Sequence, residues 1–132
     1  MRTGIVSFAY LPRIIYWSAC VTSLLLLGLV ITIVIGHGGP PNILSQPTPV
    51  QLEFAALGLM LVGLVIGWVR EGLGGVLVLI GLAGFNAVEL AVNGRPALGA
   101  FPLFAVPGAL FLLSALLRHR GKLQPVSESY RD

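Results

Sequence analysis

Four long apolar segments constrain what this chain can fold into. Each is about 17 to 23 residues long, close to the ~20 residues that a helix needs to cross a bilayer, and they cover residues 14–36, 50–69, 73–92 and 101–117. With 56% hydrophobic and 10% charged residues, the chain has too few polar side chains to cover a water-soluble globule. The sequence therefore predicts an all-α, membrane-embedded four-helix bundle that forms a single domain over residues 1–132.

The connections between these segments follow from their turn residues. Residues 37–49 read HGGPPNILSQPTP, and their glycines and prolines predict a loop. The turn Arg70-Glu71-Gly72 is so short that the second and third helices should be antiparallel neighbours. Asn93 to Ala100 form the next turn, and Pro107 should bend the fourth helix. Residues 118–132 are predicted to form a polar cytoplasmic tail.

The positions of the basic residues predict the orientation in the membrane. Lys and Arg near the ends of spans are retained preferentially on the cytoplasmic side. If both termini are cytoplasmic, Arg95 alone is outside, and the other basic residues are inside: Arg2, Arg13, Arg70, Arg118, Arg120, Lys122 and Arg131. We therefore expect both termini in the cytoplasm and a location in a cell membrane, either a prokaryotic inner membrane or a plasma membrane. A cleaved signal peptide is the main alternative for the first segment, which is longer than the ~7 to 15 apolar residues that such peptides contain.

Several function classes are disfavoured. The formal charge is +3, but the basic residues lie at segment ends instead of along one basic face, which argues against nucleic-acid binding. Cys20 is the only cysteine, so no intrachain disulfide or cysteine-based metal site is expected. No hydrolase triad spacing, HExxH, Walker loop or dinucleotide fingerprint is present. We therefore predict neither an enzyme nor a bound cofactor or metal.

Small residues predict how the helices pack. Gly63 and Gly67 form a GxxxG pair in the second segment, and the third segment carries small residues on one stripe, at Gly75, Ala83, Ala87 and Ala91. Such residues let helix backbones approach closely. They can pack the monomer, which is the favoured interpretation, or they can form the interface of a homo-oligomer.

The junction of the second and third segments reads WVREGLGG, a W-x-x-E-x-x-G-G pattern formed by Trp68, Glu71, Gly74 and Gly75. In this motif the chain resembles small four-helix membrane proteins of bacteria and archaea that are assigned only to a domain of unknown function. The resemblance extends loosely over all four segments. It implies the architecture, and because that family has no established activity, it implies no mechanism and no functional residue.

The same motif has a physical interpretation without any chemistry. Trp68 is expected to anchor the chain at headgroup depth, and Arg70 to hold the turn inside. Glu71 would lie at a helix N-terminus, where negative charge is favourable. Gly74 and Gly75 would allow close approach of helices. A binding turn exposed to the cytosol is the alternative.

A second polar group is predicted at the outer membrane surface. Asn86 and Glu89 lie on one side of the third helix, and a charged carboxylate facing lipid is costly. The group consists of His37, Glu53, Asn86, Glu89 and Arg95. The favoured interpretation is a structural polar cap, in which Arg95 neutralises a carboxylate. The alternative is a proton or cation site, because carboxylates and an imidazole are suitable groups for it.

Two functions remain open on these observations. An accessory protein that binds another membrane protein suits the small size and the limited polar content of the chain, and is the favoured hypothesis. Proton or cation transport by a homo-oligomer, using the outer polar group, is the alternative, because four helices are few for a pathway of their own. The expected partners are thus the lipid bilayer and either another membrane protein or further copies of the chain.

Overall fold

The computed structural model describes residues 3–99 and 101–123, with the side chains of residues 10–99 and 101–120. It contains four α-helices: α1 (Thr3–Gly36), α2 (Thr48–Gly67), α3 (Glu71–Asn93) and α4 (Ala105–Leu123). Short 3₁₀ helices, Ile43–Ser45 and Phe101–Phe104, lie in two of the connections. No β-strand occurs in these ranges, and the predicted all-α architecture of four helices is confirmed.

Each of the four helical regions contains a segment that is long and apolar enough to cross a membrane. These segments are Tyr10–Gly36, Thr48–Gly67, Glu71–Asn93 and Phe101–Arg120. Helix α1 starts well before the predicted span and continues through Pro12 for 34 residues. Helix α4 continues beyond the predicted end of its span, so the first residues of the predicted tail are helical, whereas residues 124–132 lie outside the described ranges.

The helices pack in a fixed order of neighbours. Helix α2 packs along α3, α3 along α4, and α4 along α1, while α1 and α2 contact each other much less. Met60, Leu64, Val78 and Phe111 are fully buried between the helices and fill the centre of the bundle. The weak contact between α1 and α2 leaves the bundle less closed on that side than on the others.

The two ends of the bundle differ in character. We call the end that holds the α2–α3 turn the basic end, because Arg13, Arg70, Arg118 and Arg120 belong to it. We call the opposite end, which holds residues 37–47, 94–99 and 101–104, the loop end.

Glycines allow the closest helix contacts, and these lie toward the basic end. A Cβ atom added to Gly74 would lie 2.2 Å from the Cα atom of Gly67, and one added to Gly75 would lie 2.7 Å from the carbonyl oxygen of Gly108. Helix α3 therefore approaches both α2 and α4 at the level of backbone contact. A Cβ atom added to Gly63, the first glycine of the GxxxG pair, would lie 2.8 Å from the Val78 nitrogen of α3. The GxxxG pair therefore packs within the chain.

The predicted small-residue stripe of α3 divides between two environments. Gly75 is buried against α4, whereas Ala83, Ala87 and Ala91 are exposed. The reason is geometric, because residues spaced by four drift around the axis of a helix with 3.6 residues per turn. The alanines are therefore available to surroundings outside the chain.

The turns at the ends of α3 and α4 follow their residue types. Helix α3 ends at Gly94, whose φ of 66° is left-handed and whose N–H donates to the Leu90 carbonyl at 3.0 Å, as expected for a glycine after a helix. Pro107 lies in the first turn of α4, because Phe101–Phe104 form a separate 3₁₀ helix. A proline in the first turn removes no intrahelical hydrogen bond. The prediction that Pro107 bends the interior of the fourth helix is therefore wrong.

Candidate functional site

Trp68 connects the α2–α3 turn to α1. Its indole Nε1–H donates to the Ser23 hydroxyl oxygen at 2.8 Å, and that hydroxyl donates to the carbonyl oxygen of Cys20 at 2.8 Å. The Tyr16 hydroxyl donates in turn to the backbone carbonyl oxygen of Trp68 at 2.7 Å. Two hydrogen bonds between α1 and one residue therefore hold α1 and the end of α2 together, although these helices touch little elsewhere.

Glu71 connects the same turn to α4. It is the first residue of α3, and its Oε1 lies 2.9 Å from Nη1 of Arg118. The Ser114 hydroxyl donates to Oε2 at 2.5 Å, and the same hydroxyl oxygen lies 3.2 Å from the Pro12 carbonyl oxygen of α1. The Glu71 side chain is 11% exposed, that of Arg118 is 49% exposed, and Ser114 is fully buried.

Tyr16 completes this arrangement. The guanidinium carbon of Arg118 lies 5.4 Å from the centre of the Tyr16 ring, within the range of a cation–π contact. The Tyr16 ring also packs edge-on against Phe111, with 6.3 Å between the ring centres. We call Tyr16, Trp68, Glu71, Ser114 and Arg118 the Glu71 cluster, which contacts all four helices.

The chemistry of the Glu71 cluster is that of a satisfied network. Both carboxylate oxygens of Glu71 have a partner, and no buried side-chain nitrogen or oxygen within the described residues lacks a hydrogen bond. A satisfied, partly buried network makes one arrangement of the helices favourable over others. Gly74 and Gly75 follow on α3 at its tightest contacts, and Arg70 is exposed at the turn outside the cluster.

At the loop end, Asn86 makes a polar contact between α3 and the segment that follows it. Its Nδ2 donates to the Leu82 carbonyl oxygen at 2.9 Å, and its Oδ1 accepts the backbone N–H of Ala97 at 3.0 Å. The second bond holds the connection after α3 against the helix. Asn86 therefore positions the segment that carries Arg95.

Among the other polar side chains of the predicted outer group, the hydrogen bonds that form are local and do not join helices. Glu89 accepts a hydrogen bond from Asn93 Nδ2 at 2.6 Å on its Oε2. Nδ1 of His37 lies 2.8 Å from the Ile33 carbonyl oxygen, and because a carbonyl only accepts, Nδ1 carries the hydrogen. Glu53 lies near the start of α2, at the same end of the bundle as Glu89.

The structure brings part of the predicted outer group to one cavity. Glu89 and Arg95 both line a cavity of about 340 Å³ at the loop end, although no ion pair joins them, and the ion pair that occurs in residues 10–99 and 101–120 is Glu71–Arg118. His37 lines a different cavity of about 530 Å³, which is apolar and lies between α1 and α2. No group of three or more His, Cys, Asp or Glu side chains suited to a metal is found among the described residues.

Sequence reasoning missed the partners of the motif. Tyr16, Ser23, Ser114 and Arg118 were not predicted as partners of Trp68 and Glu71, although they hold these two residues in place. Two patterns carry the signal. Ser114 and Arg118 are spaced i, i+4 on α4, and Tyr16 and Ser23 are spaced i, i+7 on α1, so each pair shares a helix face. A hydroxyl side chain in an apolar span, with a charged residue one turn away on the same helix face, indicates a buried hydrogen-bond acceptor on a neighbouring helix.

Comparison with known proteins gives the family. A family model described as a domain of unknown function (DUF7670) matches residues 9–124. Because the match covers most of the chain, the chain belongs to this family, and the prediction of a family of unknown function is confirmed. No curated protein and no solved structure matches the chain. The bacterial or archaeal origin, and the W-x-x-E-x-x-G-G pattern as a signature of the family, stay predictions.

Proposed function

We propose that this member of the DUF7670 family is an integral membrane protein that crosses a cell membrane four times and acts as a non-enzymatic accessory protein. In this proposal both termini are cytoplasmic, and exposed helix faces bind another membrane protein. The four apolar helical segments support insertion in a bilayer, since each has the length and composition of a span.

The observation that carries the proposal is the closed centre of the bundle. Met60, Leu64, Val78 and Phe111 are fully buried there, and the polar clusters lie at the two ends. An ion moving through one copy would have to cross this apolar layer without polar groups to replace its water, which is unfavourable. Binding through the outside of the bundle suits this interior better than conduction through it.

The outer face of α3 is the surface that we assign to the partner. Ala83, Ala87 and Ala91 are exposed on it, and small side chains let a second helix approach closely where lipid offers no hydrophobic driving force. The exposed face of α1 carries larger side chains, such as Leu25, which is 69% exposed. We therefore assign the helix contact to the α3 face.

Crosslinking in cells tests this assignment. A photo-crosslinking amino acid introduced at Ala87 should yield an adduct with a second membrane protein, identified by mass spectrometry. The matched control is the same amino acid at Leu25, which faces outward on another helix and should give no specific adduct. Adducts from Leu25 but not from Ala87, or from neither position, would reject the proposed face.

The orientation has its own test. With both termini cytoplasmic, Arg13, Arg70, Arg118 and Arg120 at the basic end lie inside and Arg95 lies outside, in accordance with the retention of basic residues. Topology reporters fused after Gln46 and Arg95 should report an outside location, and those fused after Arg70 and at the C-terminus a cytoplasmic one. An outside signal after Arg70 would overturn the orientation.

Proton or cation transport by an oligomer is the second candidate, and one observation favours it. Glu53 near the start of α2 and Glu89 near the end of α3 lie at the same end of the bundle, and two carboxyl groups there are suitable for binding a proton or a cation. Because the centre of one copy is closed, such a path would run between copies. Native mass measurement in detergent separates the candidates, since a stable homo-oligomer supports transport and a monomer with a larger co-purified protein supports the accessory function.

A further inference from the structure

Two cavities at the loop end share one wall. The first, of about 340 Å³, contains Glu89 and Arg95, and the second, of about 530 Å³, lies between α1 and α2. Phe101 lines both of them, and its ring is stacked on Phe85 with 4.1 Å between the ring centres. A charged site and an apolar site are therefore adjacent and separated by a fixed aromatic ring.

The first cavity carries separated opposite charges. Glu89 and Arg95 line it without an ion pair between them, and the hydrogen bond from Asn93 occupies one oxygen of Glu89. The arrangement thus offers a carboxylate for a cation and, separately, a guanidinium for an anion. These are the complements of a headgroup that contains both an ammonium and a phosphate.

The second cavity is suited to a hydrocarbon chain. Leu29 and Ile33 of α1 line one side, Phe54 and Leu57 of α2 line the other, and His37 stands near the loop. From Leu29 to His37 the lining extends about 12 Å along α1, at 1.5 Å per residue. Water would find few polar partners there, whereas a hydrocarbon chain needs none.

We propose that the loop end binds a phospholipid with a primary ammonium headgroup, with the ammonium at Glu89, the phosphate at Arg95 and one acyl chain in the cavity between α1 and α2. This inference rests on the proposed insertion in a membrane, which supplies the lipid from the outer leaflet. A primary ammonium has three N–H donors for carboxylate oxygens, whereas the quaternary ammonium of a choline headgroup has none. Ammonium recognition by carboxylates therefore predicts a preference among lipids that share the same phosphate and acyl chains.

The test is lipid binding to the purified, full-length protein in detergent, followed by native mass spectrometry. The probes are dioleoyl phosphatidylethanolamine, phosphatidylcholine and phosphatidylglycerol, added separately and in competition. We expect phosphatidylethanolamine to bind about tenfold more tightly than phosphatidylcholine, the effect of one charge-assisted hydrogen bond. Equal binding of all three lipids would overturn the proposal.

Variants in the charged cavity separate the two headgroup contacts. Glu89→Gln should reduce the preference for phosphatidylethanolamine over phosphatidylcholine to about twofold or less. Arg95→Gln should weaken all three lipids alike, because each carries the phosphate. Arg120→Gln, at the basic end, is the matched control and should change neither property. A preference that survives Glu89→Gln would reject the ammonium site, and since the preference is a ratio within one variant, a change in the amount of folded protein does not imitate it.

A variant in the apolar cavity tests the acyl chain. Ile33→Trp fills the cavity, and Ile31→Trp adds the same side chain on the same helix where it does not line the cavity. We expect Ile33→Trp to lower the affinity for all three lipids by about tenfold and Ile31→Trp to leave it unchanged. Equal effects of the two variants would show binding around the protein surface only. These outcomes are independent of the topology and crosslinking results, so the lipid site can fail while the proposed function stands.

Discussion

The basic end and the loop end of this bundle use their polar residues differently. At the basic end, Tyr16, Trp68 and Ser114 make hydrogen bonds between residues 43 to 102 positions apart in the chain. At the loop end, the side chains of His37 and Glu89 bond to groups four positions away on their own helix. Bonds of the first kind define how helices sit against one another, and bonds of the second kind do not.

The difference follows from what the neighbouring residues allow. Glycines bring α3 into backbone contact with α2 and α4 near the basic end, so a short polar side chain can reach the next helix. Toward the loop end α1 and α2 separate, and a cavity of about 530 Å³ opens between them. Where helices are in tight contact, polar side chains can bond from one helix to another. Where helices are separated, there is room for a ligand. We expect substitutions at the basic end to change stability and those at the loop end to change binding.

The largest expected effect is that of Gly74→Ala. The new Cβ would lie 2.2 Å from the Cα atom of Gly67, so α2 and α3 must move apart, and we expect a loss of about 3 kcal/mol or more in the free energy of unfolding. Gly84→Ala on the same helix is the control, because its Cβ would meet only the Ala56 Cβ at 4.0 Å. Thermal unfolding in detergent measures both. Equal midpoints for the two variants would contradict the tight contact at the basic end.

Glu71→Ala should have the next largest effect. It removes the ion pair with Arg118 and leaves the buried Ser114 hydroxyl with only the longer contact to the Pro12 carbonyl oxygen, and since Arg118 is half exposed we expect a loss of about 1–3 kcal/mol. Glu53→Ala is the matched control, because it removes a carboxyl group at the loop end. A control variant that is as destabilised as Glu71→Ala would remove the distinction between the two ends.

Trp68→Phe should cost less, about 1 kcal/mol, because it deletes one neutral hydrogen bond and keeps most of the ring. Ser23→Ala removes the other partner of the same bond. In a double-mutant cycle the combined variant should lose little more than either single one. Trp17→Phe is the control, since this ring is 59% exposed. Fully additive losses from Trp68→Phe and Ser23→Ala would show that the bond does not join α1 to the turn.

The features of the fold that depend on the residues of a single helix or turn could be predicted from the sequence. Long apolar runs, the loop after Gly36 and the turn at Asn93-Gly94 all follow from local residue types. The bend predicted at Pro107 was wrong because a 3₁₀ helix precedes α4, so that Pro107 lies in the first turn of α4. No local sequence signal distinguishes this 3₁₀ helix from the first turn of an α-helix. The partners of Glu71 come from helices far along the chain, so they depend on which helix packs against which. Which helix packs against which depends on the whole bundle, and the positions of the charged residues alone do not predict it.

Glu89→Gln is the substitution for which we expect the smallest change in stability. The amide keeps an oxygen that can accept the hydrogen bond from Asn93, and no ion pair of Glu89 is lost. The midpoint of thermal unfolding should therefore stay close to that of the unchanged protein, with a difference within about 0.5 kcal/mol. Glu89→Leu, which also removes the acceptor for Asn93, should cost more. If Glu89→Gln destabilised the protein as much as Glu71→Ala, the carboxylate would have to be a structural partner of another helix, and the loop end would no longer differ from the basic end.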